Sequence, residues 1–215
     1  MESIMAGHTV KLPEPQKELE YPLMKALEKR RSVRKWKASP VTEQELSNLL
    51  WAACGITKNK YGRVKSKRTA PSACNSQEIR VYVLLKNGVF LYDEENHALT
   101  EIIKKDIRPH LGRQKMMKSV PMGLVYVADL SRMTSPFMRN KEGQRFCAWV
   151  DTGYVSQNVY LYCAASGLGT VVLSLVDRDK LHDLMRLKDH EKVVLTQAVG
   201  HPALARHRHS RKRTF

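Results

Sequence analysis

The stretch Phe146–Ser174, FCAWVDTGYVSQNVYLYCAASGLGTVVLS, decides the fold. From Phe146 to Ala165 it places apolar or small side chains on nearly every side of a helix: Phe146, Trp149, Val150, Gly153, Tyr154, Val159, Leu161, Ala164 and Ala165. A helix that is apolar all round needs cover all round. In a chain of 215 residues the simplest cover is a second copy, so this segment predicts the central helix of a homodimer. Gly167-Leu168-Gly169 stops the helix, and Thr170–Val176 reads as a strand. The glycine pair is not a phosphate loop, because it lacks the GxGxxG spacing and follows a helix instead of opening one.

Toward the C-terminus, Asp177–Arg186 predicts a short helix and Val193–Val199 a last strand. Toward the N-terminus, residues 131–141 form a polar connector and Met122–Ala128 a buried strand. Ala98–Lys105 and Ile107–Lys118 read as helical, the second broken at Pro109. Ile79–Leu85 and Val89–Tyr92 are apolar runs joined by Lys86-Asn87-Gly88, a strong hairpin signal. Residues 58–78 predict a long basic loop, the kind that is functional or mobile. Thr42 with Glu45 predicts a capping box for a helix striped by Leu46, Leu49, Leu50 and Ala53, and Gly55 ends it. Leu23–Arg31 predicts a short helix running into the basic turn Arg30–Arg34, where cations suit the helix dipole.

Helices alternating with a few strands, one pair of them antiparallel, make the class α+β: a mixed, partly antiparallel central sheet flanked by helices. The organisation we expect is an extended, proline-marked arm over residues 1–22, one domain over 23–205 and a basic tail over 206–215.

Hydrophobic residues make up 42% and charged residues 27% of the chain, which excludes global disorder. No apolar run approaches a membrane span, and the first ten residues lack a signal-peptide pattern. A cytoplasmic, reduced protein is the expectation, with Cys54, Cys74, Cys147 and Cys163 as free thiols because none forms a CxxC pair. The histidines show no metal-ligand spacing, so no metal is expected. The net charge of +16 favours polyanions. The basic residues are nevertheless scattered and no nucleic-acid motif accompanies them, so no specific nucleic-acid partner is expected.

Two segments carry chemistry. Arg30-Arg31-Ser32-Val33-Arg34 offers three guanidinium groups and a hydroxyl, suited to a phosphate. Pro71-Ser72-Ala73-Cys74-Asn75-Ser76-Gln77 combines small residues, which let backbone approach a flat ligand, with amides that can pair with a heteroaromatic edge.

Taken in order, RRSVRKW (Arg30–Trp36), LSNLLWAACGI (Leu46–Ile56), PSACNSQ (Pro71–Gln77), DTGYVSQNVYLYCAASGLGTVVLS (Asp151–Ser174) and VGHP (Val199–Pro202) resemble the nitroreductase superfamily. The lead-in KLPEPQ (Lys11–Gln16) resembles its azoline dehydrogenase-like branch. The resemblance implies an intertwined homodimer and FMN as cofactor. Arg30, Arg31, Ser32 and Arg34 would contact the FMN phosphate, ribityl chain and pyrimidine edge. Ser72, Ala73, Cys74 and Asn75, with Gln77, would reach the flavin across the dimer interface. Val172, Leu173 and Ser174 would lie against the isoalloxazine near N5, and Arg206 or Arg208 would hold the phosphate. Cys74 departs from the family's small residue, and Gln77 is not followed by the usual proline.

The activity this implies is an FMN-dependent oxidoreductase. NADH or NADPH would pass hydride through flavin N5 to a small organic acceptor, such as a nitroaromatic or a quinone, with no protein acid or base required. Two alternatives stand beside it. One is a dehydrogenase that oxidises a peptide heterocycle with oxygen as acceptor, and the other a non-catalytic basic protein that holds flavin or nucleic acid.

Overall fold

The computed structural model describes residues 7–62, 65–138 and 140–203. A single seven-stranded sheet organises them. It contains β1 (Thr9–Lys11), β4 (Ile79–Leu85), β5 (Gly88–Asp93), β6 (Ala98–Ile103), β7 (Met122–Asp129), β8 (Gly169–Leu173) and β9 (Glu191–Gly200), in the order β1-β6-β5-β4-β7-β9-β8. A small antiparallel ladder, β2 (Ile56–Lys58) with β3 (Lys67–Arg68), lies apart. The helices are α1 (Leu23–Lys29), α2 (Glu43–Cys54), α3 (Lys141–Ser166) and α4 (Arg178–Met185).

The α+β class holds, and the pairings between the seven strands are all antiparallel. The parallel part of the expected mixed sheet is one bridge, Ser32 to Thr170.

Both faces of the sheet are covered, as strand alternation requires. Ile79, Val81 and Val83 of β4 and Leu124 and Tyr126 of β7 face α2 and α3. Tyr82, Leu84, Val125 and Val127 face the opposite layer, made by α4 and the short turns around Ile107–Val120. The Thr42–Glu45 capping box forms as expected. Gly167 ends α3 in the left-handed conformation at φ 78°, where a Cβ would be strained. The segment before α1 joins the core through Leu12 and is fastened by His97, whose Nε2 lies 2.8 Å from Ser47 Oγ and whose Nδ1 lies 2.8 Å from Tyr92 OH.

Two expectations fail. Ala98–Lys105 is not helical: Ala98–Ile103 is β6, paired with both β5 and β1. The Asp93 carboxylate caps the turn at Glu95 and Asn96, which sends the chain back along β5, and two neighbouring strands outweigh local helix preference. Ile107–Lys118 is two short 3-10 turns, Arg108–His110 and Lys115–Ser119, because Pro109 and Gly112 leave no uninterrupted run long enough for a helix.

Candidate functional site

The Arg30–Arg34 segment is placed by the early end of α1. Arg30 leaves the helix at φ −54° and ψ 121°, so the expected basic helical turn is instead an extended strip along the edge strand β8. The Val33 amide donates to the Thr170 carbonyl at 2.8 Å, and Trp36 Nε1 donates to the Gly169 carbonyl at 3.1 Å. On the other side the Lys37 amide donates to the His201 carbonyl and the Ala203 amide to the Lys35 carbonyl. Backbone pairing on two sides outcompetes a further turn of helix. Gly169 makes the approach possible, since a Cβ there would stand 2.7 Å from Val33 Cγ1.

Tyr160 of α3 ties this strip to β8. Its hydroxyl accepts from the Val172 amide at 3.0 Å and shares a hydrogen bond with Ser32 Oγ, also 3.0 Å away. The Arg30 guanidinium stacks over the ring, 5.3 Å from its centre. Arg31 and Arg34 are exposed, and none of the three arginines meets a carboxylate among the described residues. A groove of about 330 Å³ runs here between Lys29, Arg31, Val33, Tyr160, Gly167 and Thr170. Two of the segments singled out in the sequence therefore converge, Arg30–Arg34 with Val172–Ser174. Of the second, Leu173 is buried, Val172 half-buried and Ser174 exposed. Arg206 and Arg208 lie outside the described residues, but the chain reaches Ala203 directly beside Lys35.

The third segment lies elsewhere on α3. Ala73–Asn75 is a 3-10 turn, and Cys74, Asn75 and Gln77 all have φ between 49° and 54°, a left-handed conformation that costs non-glycine residues energy. Hydrogen bonds hold it there. The Ala73 amide donates to Asp151 Oδ2 at 2.8 Å and the Gln77 amide to Ser72 Oγ at 2.9 Å. Gln77 Nε2 donates to the Ser66 carbonyl and to Asn75 Oδ1, and Asn75 Nδ2 to the same Ser66 carbonyl. This corrects the expectation for the two amides: both are committed inside the loop and Gln77 is buried. What the loop presents outward is Ser72, Ala73 and Cys74. Ser72 and Ala73 border a pocket of about 350 Å³ with Cys147, Asp151 and Tyr154. Asp151 and Tyr160 are nine positions apart, about 13 Å along a helix axis, so one protomer keeps the loop and the arginine strip at separate stations.

Sequence reasoning missed Tyr160 and Asp151. Each is a polar group on the buried side of α3, where a polar group needs a partner, and that need was the available signal. A cleft of about 840 Å³ between Trp149, His182 and Val193–Leu195 contains none of the expected cofactor residues. Burial pushes the Cys54 and Cys163 thiols up, which keeps them protonated. Among the described residues there is no cluster that could hold a metal ion, and no helix is long and apolar enough to cross a membrane.

Comparison with known proteins bears on the family and the fold. The profile of the Nitroreductase family matches residues 27–201. An inferred nitroreductase of Methanocaldococcus jannaschii is 29% identical over 199 residues, 88% of this chain and 96% of its own. The crystal structure of another inferred nitroreductase, from Ralstonia eutropha, superposes with a TM-score of 0.84 at 32% identity, covering 95% of this chain and 97% of that one. A Desulfovibrio desulfuricans structure described as a complex with FMN has the same fold, with a TM-score of 0.61 at 20% identity over 86% of this chain and 88% of that one. The chain belongs to the nitroreductase family.

Proposed function

We propose that this protein is an FMN-dependent oxidoreductase that takes hydride from NADH or NADPH and passes it to a small organic acceptor. The observation that carries the reading is the Ser32–Tyr160–Val172 junction, with Arg30 over the Tyr160 ring and Arg31 lining the groove, neither meeting a carboxylate among the described residues. Such guanidinium groups suit a phosphate, which they can grip in paired hydrogen bonds, and the groove beside them falls in the size range of small-molecule sites. The residues present therefore fit a flavin mononucleotide. When bound, the flavin supplies the two-electron chemistry.

The chain's own residues bind and orient. Arg30, Arg31 and Arg34 hold the phosphate, with Arg206 or Arg208 arriving from the segment after Ala203. Ser32 is oriented by its hydrogen bond with the Tyr160 hydroxyl, and Val172–Ser174 presents the backbone of the sheet edge. Cationic groups in a site that excludes water favour negative charge on a reduced ligand.

The loop Ser72–Asn75 completes the site from a second protomer. α3 exposes Phe146, Trp149, Val150 and Tyr154 along one stripe. Two α3 helices packed antiparallel about a centre between Asp151 and Tyr160 lay the stripe of each against the second half of the other, and set the loop of one protomer level with Tyr160 of the other. A homodimer with two shared sites follows.

The experiment is a visible spectrum of the purified protein, followed by anaerobic addition of NADH and of NADPH. The reading expects flavin absorbance that bleaches with one or both donors and returns when a quinone is added. A colourless protein that takes up no FMN ends it.

A further inference from the structure

Glu78 follows the loop directly and is wholly buried, yet neither carboxyl oxygen finds a hydrogen-bond donor among the described residues. Another carboxyl, that of Asp151, itself 4% exposed, faces it. An ionised carboxylate in such a place is costly, and two in contact more so. Arg68 of β3 also faces Glu78, but its guanidinium is paired with Glu94. Cys147, one helical turn before Asp151, is the other titratable group turned toward it, and that thiol is itself pushed up, by burial first and then by Asp151 and Glu78. Arg80, Arg132 and Cys54 stand one step further, around Arg68.

We propose that Glu78 is a positioning residue: it holds a proton against Asp151, and this shared proton steadies the Asp151 carboxylate that anchors the Ala73 amide and so fixes the 72–77 loop. The proton supplies the donor that Glu78 otherwise lacks. It also leaves the pair with a single negative charge, which Asp151 uses to accept from Ala73 at 2.8 Å. Three left-handed residues store strain in the loop, so loosening the anchor releases it. Loss of the proton puts two negative charges in contact, and the anchor fails. Consistent with this, burial and Asp151 together push Glu78 up to about 7.

The consequence rests on the flavin reading: FMN affinity falls as pH rises through neutrality, because the loop is then misplaced. The test uses three full-length proteins, wild type, Glu78→Gln and Glu78→Leu. Glutamine carries a permanent N–H donor in place of the proton, and leucine offers none. Hydrogen-exchange protection of residues 72–77 is measured without flavin from pH 5.5 to 8.5, and FMN dissociation constants over the same range.

In wild type, protection of the loop and FMN affinity should both fall about tenfold per pH unit above the transition. Glu78→Gln should keep the low-pH values throughout, and Glu78→Leu should show low protection at every pH. Wild-type protection that does not change with pH, or a glutamine variant that tracks wild type, overturns the proposal. If no FMN binds but protection follows this pattern, the flavin reading fails and the proton pair stands.

Discussion

Tyr160 does at one atom what the sequence assigned to a cluster. Its hydroxyl satisfies a buried-edge amide, that of Val172, and orients Ser32, while its ring carries Arg30. Removing that oxygen by Tyr160→Phe strands the Val172 N–H, and an amide left without a partner costs about 1–3 kcal/mol. Chemical denaturation should show a loss of that size with an unchanged m-value, and FMN affinity should drop with it. An affinity equal to wild type would place the flavin away from this junction. Glu78 gives the second residue-scale prediction. Its carboxyl titrates near 7 in the folded protein against an ordinary 4.5, so between these values the native state binds the extra proton. Stability contributed by this group is therefore complete below about pH 4.5 and is lost as pH rises through 7, by up to about 3 kcal/mol. Glu78→Gln should flatten that part of the pH–stability curve. A wild-type curve with no decline across the window would contradict the shared proton.

At the scale of elements, α3 has two different faces. One side packs against α2 and the sheet through Ala148, Val155, Val159 and Cys163. The other exposes Trp149 at 57% and Phe146 at 65%, more than a helix facing only water would carry. Buried Trp and Tyr anchors in interfaces are worth about 2 kcal/mol or more each, roughly thirtyfold in affinity. Trp149→Glu and Tyr154→Glu should each move the protein from dimer toward monomer in analytical ultracentrifugation. If the loop serves the partner's site, each should also release FMN. A variant that is monomeric yet holds FMN as tightly as wild type would show that one protomer builds the whole site. The β8 edge makes the complementary point. It is the last strand of the sheet, and the Arg30–Trp36 strip covers it, so an edge that would otherwise be open to pairing with other chains becomes a binding wall.

For the molecule as a whole, cofactor binding and stability are linked, because a ligand that prefers the folded state adds to its stability by mass action. At free FMN one hundred times the dissociation constant the gain is about 2.7 kcal/mol, which for a domain of this size means a rise in Tm of about 5–11 °C. Arg30→Ala should reduce that rise, whereas Lys104→Ala, an exposed position after β6, should preserve it. Equal rises in the two variants would remove the phosphate from Arg30. The net charge of +16 adds a general attraction for anions that salt should weaken. The FMN-linked rise measured at high salt therefore reports the specific site.

The sequence by itself determined what depends on neighbours along the chain. The Thr42–Glu45 cap, the Asn87-Gly88 hairpin, the stop at Gly167 and the apolar stripes of α2 and α3 are local hydrogen-bond and periodicity effects, and a one-dimensional string carries them intact. The α+β class and the pairing of Arg30–Arg34 with Val172–Ser174 were legible for a related reason: distinctive residue groups appear in a fixed order. Only the tertiary structure decided the rest. Ala98–Ile103 became a strand because β1 and β5 lie on either side of it. The chain left α1 at Arg30 because β8 offered Val33 a backbone partner. Asn75 and Gln77 turned inward because the Ser66 carbonyl waits behind the loop. Glu78 acquired its proton because folding placed Asp151, more than seventy positions away, against it in the buried interior. Burial and long-range pairing change the energy of a side chain by more than its own propensity does, and neither is written in its immediate sequence.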